Sequence, residues 1–225
     1  MNKNIILAGV GGQGILTIAA VIDHAAMQKG LKIKQAEVHG MSQRGGAVES
    51  HLRISDEEIY SDLIPFGKAD LILSLEPMES LRYLPFLGAD GIIITATEPF
   101  ENIPNYPSLN EIENTIKKSA KSLFIDAAKL AREAGNAKAV NIVLVGAAAR
   151  YIGIDREQLE KSIKEMFSAK GEAMVNINLK AFELGYSLTA NWYCVGFAVG
   201  TLRFFLLKHN LFMQNNKPAY YLNRF

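Results

Sequence analysis

Asn4-Ile5-Ile6-Leu7-Ala8-Gly9-Val10-Gly11-Gly12-Gln13-Gly14-Ile15-Leu16 decides the fold of this chain. Ile5 to Ala8 is an apolar run with no polar alternation, which suits a strand covered on both faces of a sheet. Glycines stop the run. From Gln13 to Lys29 the apolar residues Ile15, Leu16, Ala19, Ala20, Ile22 and Ala26 then recur at helical spacing, and Gly30 ends the pattern. Gly9, Gly11 and Gly14 satisfy G-x-G-x-x-G between a strand and a helix, the context that motif needs. Gly9, Gly11, Gly12 and Gly14, with Gln13 among them, would let a ligand's phosphates approach the backbone and meet the N–H groups of the helix start. Lys3 is close in sequence, but its side chain is expected to point away. The same residues also read as a tight strand–helix turn that binds nothing.

Working outward, Leu31–Val38 reads as a second strand and leads directly into a second glycine loop, His39-Gly40-Met41-Ser42-Gln43-Arg44-Gly45-Gly46. Both loops follow strands at their carboxyl ends, where open α/β sheets form one crevice, so they should face each other. Arg44 would bring a planar cation suited to phosphate or carboxylate. Ser42 and Gln43 would add neutral hydrogen bonds, and Gly45 and Gly46 a close backbone turn. A dinucleotide enzyme would use an acid at the end of its second strand, and Glu37 is near that place, which keeps a stand-alone dinucleotide-binding oxidoreductase as a rival. His39 and His51 read first as histidines held by backbone or carboxylate hydrogen bonds rather than as catalysts.

The third strand, Ala47–Ile54, alternates. Val48, Leu52 and Ile54 fall on one face and Glu49, His51 and Arg53 on the other, the pattern of a half-buried strand. Ala69–Leu75 and Gly91–Thr97 are further strands, with a helix over Pro77–Leu84 between them. Pro99, Pro104 and Pro107 mark a loop. Glu111–Lys121, Ala127–Glu133, Ala139–Ile152, a helix from Asp155 to Phe167 and Glu172–Leu184 read as helices, and Ser122–Asp126 as a last short strand. Asp155 with Gln158 has the spacing of a capping box. This rhythm predicts an α/β fold: an open, mainly parallel, Rossmann-like sheet with helices on both faces, plus C-terminal helices.

Composition sets the bounds. The chain has 225 residues, with 24 Lys plus Arg against 23 Asp plus Glu, for a net charge of +1. Phosphate contacts need a basic excess, so this balance argues against a general nucleic-acid binder. The one cysteine, Cys194, cannot supply a disulfide or a four-cysteine iron–sulfur site. His24, His39, His51 and His209 lack metal-site spacing, and no HExxH, CxxC, catalytic-triad spacing or GKS/GKT element is present. An export signal is missing, which with the single cysteine points to the cytoplasm.

Residues 186–225 differ from the rest. They carry no Asp or Glu, the four bases Arg203, Lys208, Lys217 and Arg224, and 10 of the 20 aromatic residues. Leu184 to Leu202 is uncharged for 19 residues, long enough to raise a membrane-associated interaction protein as a third reading, although Ser187, Thr189, Asn191 and Thr201 dilute it. The expected division is an α/β domain over 1–185 and an atypical aromatic-rich basic tail over 186–225.

Gly9–Gly14, His39–Gly46 and the following Val48-Glu49-Ser50-His51-Leu52-Arg53 together resemble the gamma-type subunit or domain of 2-oxoacid:ferredoxin oxidoreductases, with a nearer likeness to the beta subunit of indolepyruvate:ferredoxin oxidoreductase. Ala69-Asp70-Leu71-Ile72-Leu73 with Glu76-Pro77, and Asn141 before Leu144-Val145-Gly146, fit the same pattern. The resemblance spans about residues 3–185. It implies an alpha-type partner subunit carrying thiamine diphosphate and [4Fe-4S] clusters, and a complex that decarboxylates a 2-oxoacid oxidatively, forms an acyl-coenzyme A and reduces ferredoxin. It implies no catalytic residue and no resident cofactor or metal here. The chain's expected share is assembly and a wall of the coenzyme A or substrate site, built from Gly9–Gly14 and Ser42–Gly46.

Overall fold

The computed structural model describes residues 1–39, 45–101 and 103–190. Among the described residues six strands form one sheet: β1 (Asn2–Val10), β2 (Lys32–His39), β3 (Ala47–Ser55), β4 (Ala69–Ser74), β5 (Leu87–Ala96) and β6 (Lys121–Ile125). Their order is β2-β3-β1-β4-β5-β6. β1, β4, β5 and β6 pair in parallel, whereas β3 runs antiparallel to both β1 and β2. Only β3 is reversed, so the sheet is mainly parallel as expected. The reversal has a simple cause. The loop from β2 to β3 is too short for a crossover, which needs a dozen or more residues, so the chain turns back as a hairpin and inserts β3 beside β1.

Among the described residues there are seven α-helices, packed on the sheet or on one another: α1 (Ile15–Gln28), α2 (Pro77–Arg82), α3 (Leu109–Ser119), α4 (Ala127–Ala134), α5 (Val140–Ile152), α6 (Arg156–Phe167) and α7 (Glu172–Ala190). Alternate residues of β1 serve two cores. Ile5 and Leu7 belong to the core shared with residues of α1, α4, α5, α6 and Phe182 of α7, while Ile6 and Ala8 belong to a second core with Tyr83, Ile112 and Ile116 on the α2–α3 side. Helices on both faces explain why the β1 run is apolar throughout.

The second face of β3 departs from expectation. His51 is buried and Arg53 partly covered, because the segment after β3 folds back over them, while Glu49, also partly covered, lies beside Tyr83. The Ile64 N–H donates to His51 Nδ1 at 3.1 Å, and Arg53 Nη1 donates to the Ser61 carbonyl at 2.8 Å. Alternation within β3 leaves this face open to solvent; the cover comes from the irregular segment that follows the strand.

Two helix ends also differ. Asp155 stands at the N-cap of α6 but its side chain makes no cap bond; it takes Lys29 Nζ at 2.6 Å instead. The complete capping box is at α3, where Ser108 and Glu111 exchange bonds. α7 runs to Ala190, past the expected end at Leu184. It crosses α5 closely: a Cβ on Gly146 would meet the Phe182 carbonyl oxygen at 2.0 Å, and one on Gly185 the Val143 oxygen at 2.0 Å. The small-residue run of α5 is therefore a helix-crossing surface.

Among the described residues no helix is long and apolar enough to cross a membrane. Most of the uncharged stretch 184–202, and all of the basic residues of the tail, lie outside the described residues.

Candidate functional site

The carboxyl edge of the sheet is where the two glycine loops converge. β1 ends at Val10, β3 begins opposite it at Ala47, and the Gly11 N–H donates to the Gly46 carbonyl at 2.9 Å. Gly45 lies in the same turn. Ser42, Gln43 and Arg44, and the side chain of His39, lie outside the described residues.

Within the first loop, Gln13 folds back on the strand end. Its Oε1 accepts from the Val10 N–H at 2.8 Å and its Nε2 reaches the Leu75 carbonyl at 3.4 Å. Gln13 thus holds the loop in shape and bridges β1 to the end of β4, a supporting role that its place in the motif did not reveal. Gly14 has φ +89°, a conformation that L side chains rarely adopt, and a Cβ there would stand 2.8 Å from Asn141 Nδ2. Asn141, at the start of α5, also reaches the Gly14 carbonyl at 3.5 Å. So α1 and α5 begin beside one another.

The electrostatics follow from that convergence. Neither α1 nor α5 has a side-chain cap or an acidic residue in its first turn. The N-terminus of α1, opening directly from the glycine turn, makes this edge favourable for an anion, whereas at α5 the Ile142 N–H is already taken by Asn141 Oδ1 at 2.9 Å. Lys3 lies away from this edge, beside Gly153.

A third element closes the edge. Glu76, after β4, is 1% exposed, and its carboxylate caps α2 by accepting from the Glu79 N–H at 2.7 Å. It also accepts from the Phe100 N–H at 3.4 Å and from the Tyr106 hydroxyl. Burial and the adjacent Glu76 push the Tyr106 hydroxyl well above its ordinary range, so it stays protonated and donating. Phe100 Cε1 lies 3.8 Å from where a Cβ on Gly45 would stand. Glu76 was legible only as part of a family pattern; Phe100 and Tyr106 gave no local signal.

The remaining candidates sit apart from this edge or serve the fold. His51 is held as its plain reading expected, by Ile64 and with Glu49 Oε1 3.7 Å from its Nε2. Glu37 is separated from the first glycine loop by β3. A dinucleotide fold places its ribose-binding acid on the strand beside the glycine loop. Here β2 stands two strands from β1, about 10 Å away at ordinary strand spacing. The topology therefore removes the adjacency the dinucleotide reading needs. Among the described residues no three His, Cys, Asp or Glu side chains gather as a metal site.

Residues 4–188 match the family model described as pyruvate ferredoxin/flavodoxin oxidoreductase. The chain belongs to this family. Within it, similar curated relatives are the indolepyruvate oxidoreductase subunit IorB of Pyrococcus horikoshii, 42% identical over 192 residues, and that of Archaeoglobus fulgidus, 39% identical over 196. These alignments cover 81% and 83% of this chain and 93% and 95% of the relatives. Among solved structures, the keto/oxoacid ferredoxin oxidoreductase gamma subunit of Geobacter sulfurreducens aligns with a TM-score of 0.61 at 26% identity, covering 82% of this chain and 96% of that one. The 2-oxoglutarate:ferredoxin oxidoreductase of Magnetococcus marinus, solved with 2-oxoglutarate, coenzyme A and succinyl-CoA bound, shares the fold with a TM-score of 0.68 at 21% identity. That alignment covers 83% of this chain and 31% of the larger one, so this chain spans about a third of that protein.

Proposed function

We propose that this chain is the non-cluster subunit of an indolepyruvate, or other aryl pyruvate,:ferredoxin oxidoreductase. The observation that carries the reading is the family match over residues 4–188 together with near-complete alignment to indolepyruvate oxidoreductase subunits. In this reading an alpha-type partner subunit holds thiamine diphosphate and [4Fe-4S] clusters, and the complex passes electrons to ferredoxin. Those groups supply decarboxylation and electron transfer. A chain with one cysteine cannot ligate a cluster of that kind alone. The residues 1–185 act as the α/β module and 186–225 as an appended tail, and the complex works in the cytoplasm.

This chain's own contribution is a wall of the coenzyme A site. Gly9, Gly11, Gly12, Gln13 and Gly14 line it from one side and Ser42, Gln43, Arg44, Gly45 and Gly46 from the other. Coenzyme A carries phosphates, and the edge where α1 begins is suited to receive an anion, with Arg44 adding a full charge. In the assembled complex, Arg44→Ala should raise the KM for coenzyme A about tenfold, the loss of one charge-assisted contact. An unchanged KM would reject the site. A panel of 2-oxoacids tests the substrate: aryl pyruvates should give the highest kcat/KM, and a preference for pyruvate or 2-oxoglutarate would reject that part of the reading.

A further inference from the structure

The loop between β5 and α3 enters and leaves the carboxyl edge at fixed points. At its start the Thr97 N–H donates to the Ile125 carbonyl at 3.0 Å. At its end Ser108 caps α3. Between them, one buried carboxylate fastens it twice: Glu76 takes the Phe100 N–H and the Tyr106 hydroxyl, while its other oxygen caps α2. A carboxylate this deeply buried must be satisfied by donors. Among the described residues, two of its donors come from the loop, so releasing the loop would leave it under-satisfied. The loop is therefore bound to the site's edge more firmly than a surface connection needs to be. Its apolar contact points the same way, since the Phe100 ring reaches the Gly45 turn and is still 42% exposed.

We propose that Glu76 is a positioning residue which, through Tyr106 and Phe100, straps this loop against the second glycine turn so that the exposed Phe100 ring forms a third wall of the coenzyme A crevice. This rests on the coenzyme A reading above. Phe100 offers a flat apolar face to a ligand whose anionic part meets the glycine turns. Neither Glu76 nor Tyr106 touches the ligand; both act by holding Phe100 in place.

Two measurements test the strap. In the assembled complex, Tyr106→Phe should raise the KM for coenzyme A about fivefold while kcat and the KM for the 2-oxoacid stay within about twofold. Glu76→Gln keeps a carbonyl acceptor and should restore most of what Glu76→Ala loses. In the full chain without its partner, a glutamate-specific protease should cut after Glu98 and Glu101 about tenfold faster in Tyr106→Phe than in the unaltered chain, because cleavage follows local opening. Equal cleavage would show that the tether does not hold the loop. Faster cleavage with an unchanged coenzyme A KM would show that the loop is held but walls no ligand. Either result overturns the proposal. If Arg44→Ala raises the KM and Phe100→Ala does not, the strap alone fails. If neither moves it, the coenzyme A reading itself fails.

Discussion

The Gly11 N–H donates to the Gly46 carbonyl at 2.9 Å, joining two glycine turns that are 35 residues apart in sequence. The bond exists because β3 reverses and runs beside β1, with Val10 opposite Ala47. A parallel third strand would have begun at the other end of the sheet and left the turns apart.

Gly14 tests how tightly this edge is built. Gly14→Ala combines a strained φ of +89° with a contact of 2.8 Å to Asn141 Nδ2, whereas Gly12→Ala at φ +101° meets nothing within 4 Å. Gly12→Ala should cost about 1 kcal/mol, for the backbone alone, and Gly14→Ala about 2–3 kcal/mol. Denaturant unfolding measures both. In the double variant with Asn141→Ala the extra cost at Gly14 should shrink, since the clashing amide is gone.

The α5–α7 crossing should tolerate nothing larger than hydrogen. Gly146→Ala and Gly185→Ala each drive a methyl to 2.0 Å from a carbonyl oxygen of the opposite helix. Separating the helices would open the core around Phe182, so each should lose about 3 kcal/mol or more by thermal unfolding.

Asp23 on α1 is predicted to make the fold less stable at neutral pH than in mild acid. Burial raises its carboxyl from 3.8 to about 6, and its Oδ1 is buried without a hydrogen-bond partner. The raised group favours folding while protonated. Its full contribution is present below about pH 4 and is lost as pH rises through 6. A shift of this size corresponds to about 3 kcal/mol. Asp23→Asn should therefore stabilise the chain at pH 7.5 by an amount up to that size, and the gain should disappear near pH 4.

His51 acts in the opposite sense. Burial holds its imidazole below the ordinary 6.5, despite the pull of Glu49 toward the charged form. The unfolded chain takes the proton first, so this group's contribution is intact above pH 6.5 and is lost as pH falls below it. Gln at position 51 can still accept from the Ile64 N–H but cannot titrate. Unfolding free energies at pH 7.5 and 5.5 should differ less in His51→Gln than in the unaltered chain.

How much of this was legible in the sequence depended on the range of the interaction. The β1 run, the glycine turn and α1 were readable because strand, turn and helix signals are local and adjacent. The meeting of the two turns was also expected, from the rule that strand carboxyl ends line one crevice. The antiparallel hairpin was not anticipated, although the short β2–β3 connection carried that signal. Asp155 with Gln158 has the spacing of a capping box, yet Ser108-x-x-Glu111 directly after Pro107 is the stronger signature and forms the box. Burial of His51 and partial cover of Arg53 could not be seen, because the covering segment just after β3 is irregular and no periodicity encodes its path. The Glu76–Tyr106 contact spans 30 residues and depends on a loop path that no periodicity encodes.

Reconstitution tests the division of labour most directly. The purified chain is assayed for 2-oxoacid- and coenzyme A-dependent ferredoxin reduction, alone and after mixing with the partner subunit proposed above to carry thiamine diphosphate and clusters. Neither subunit alone should turn over, and the complex should. Ferredoxin reduction by this chain unaided, or a partner subunit fully active without it, would contradict the account.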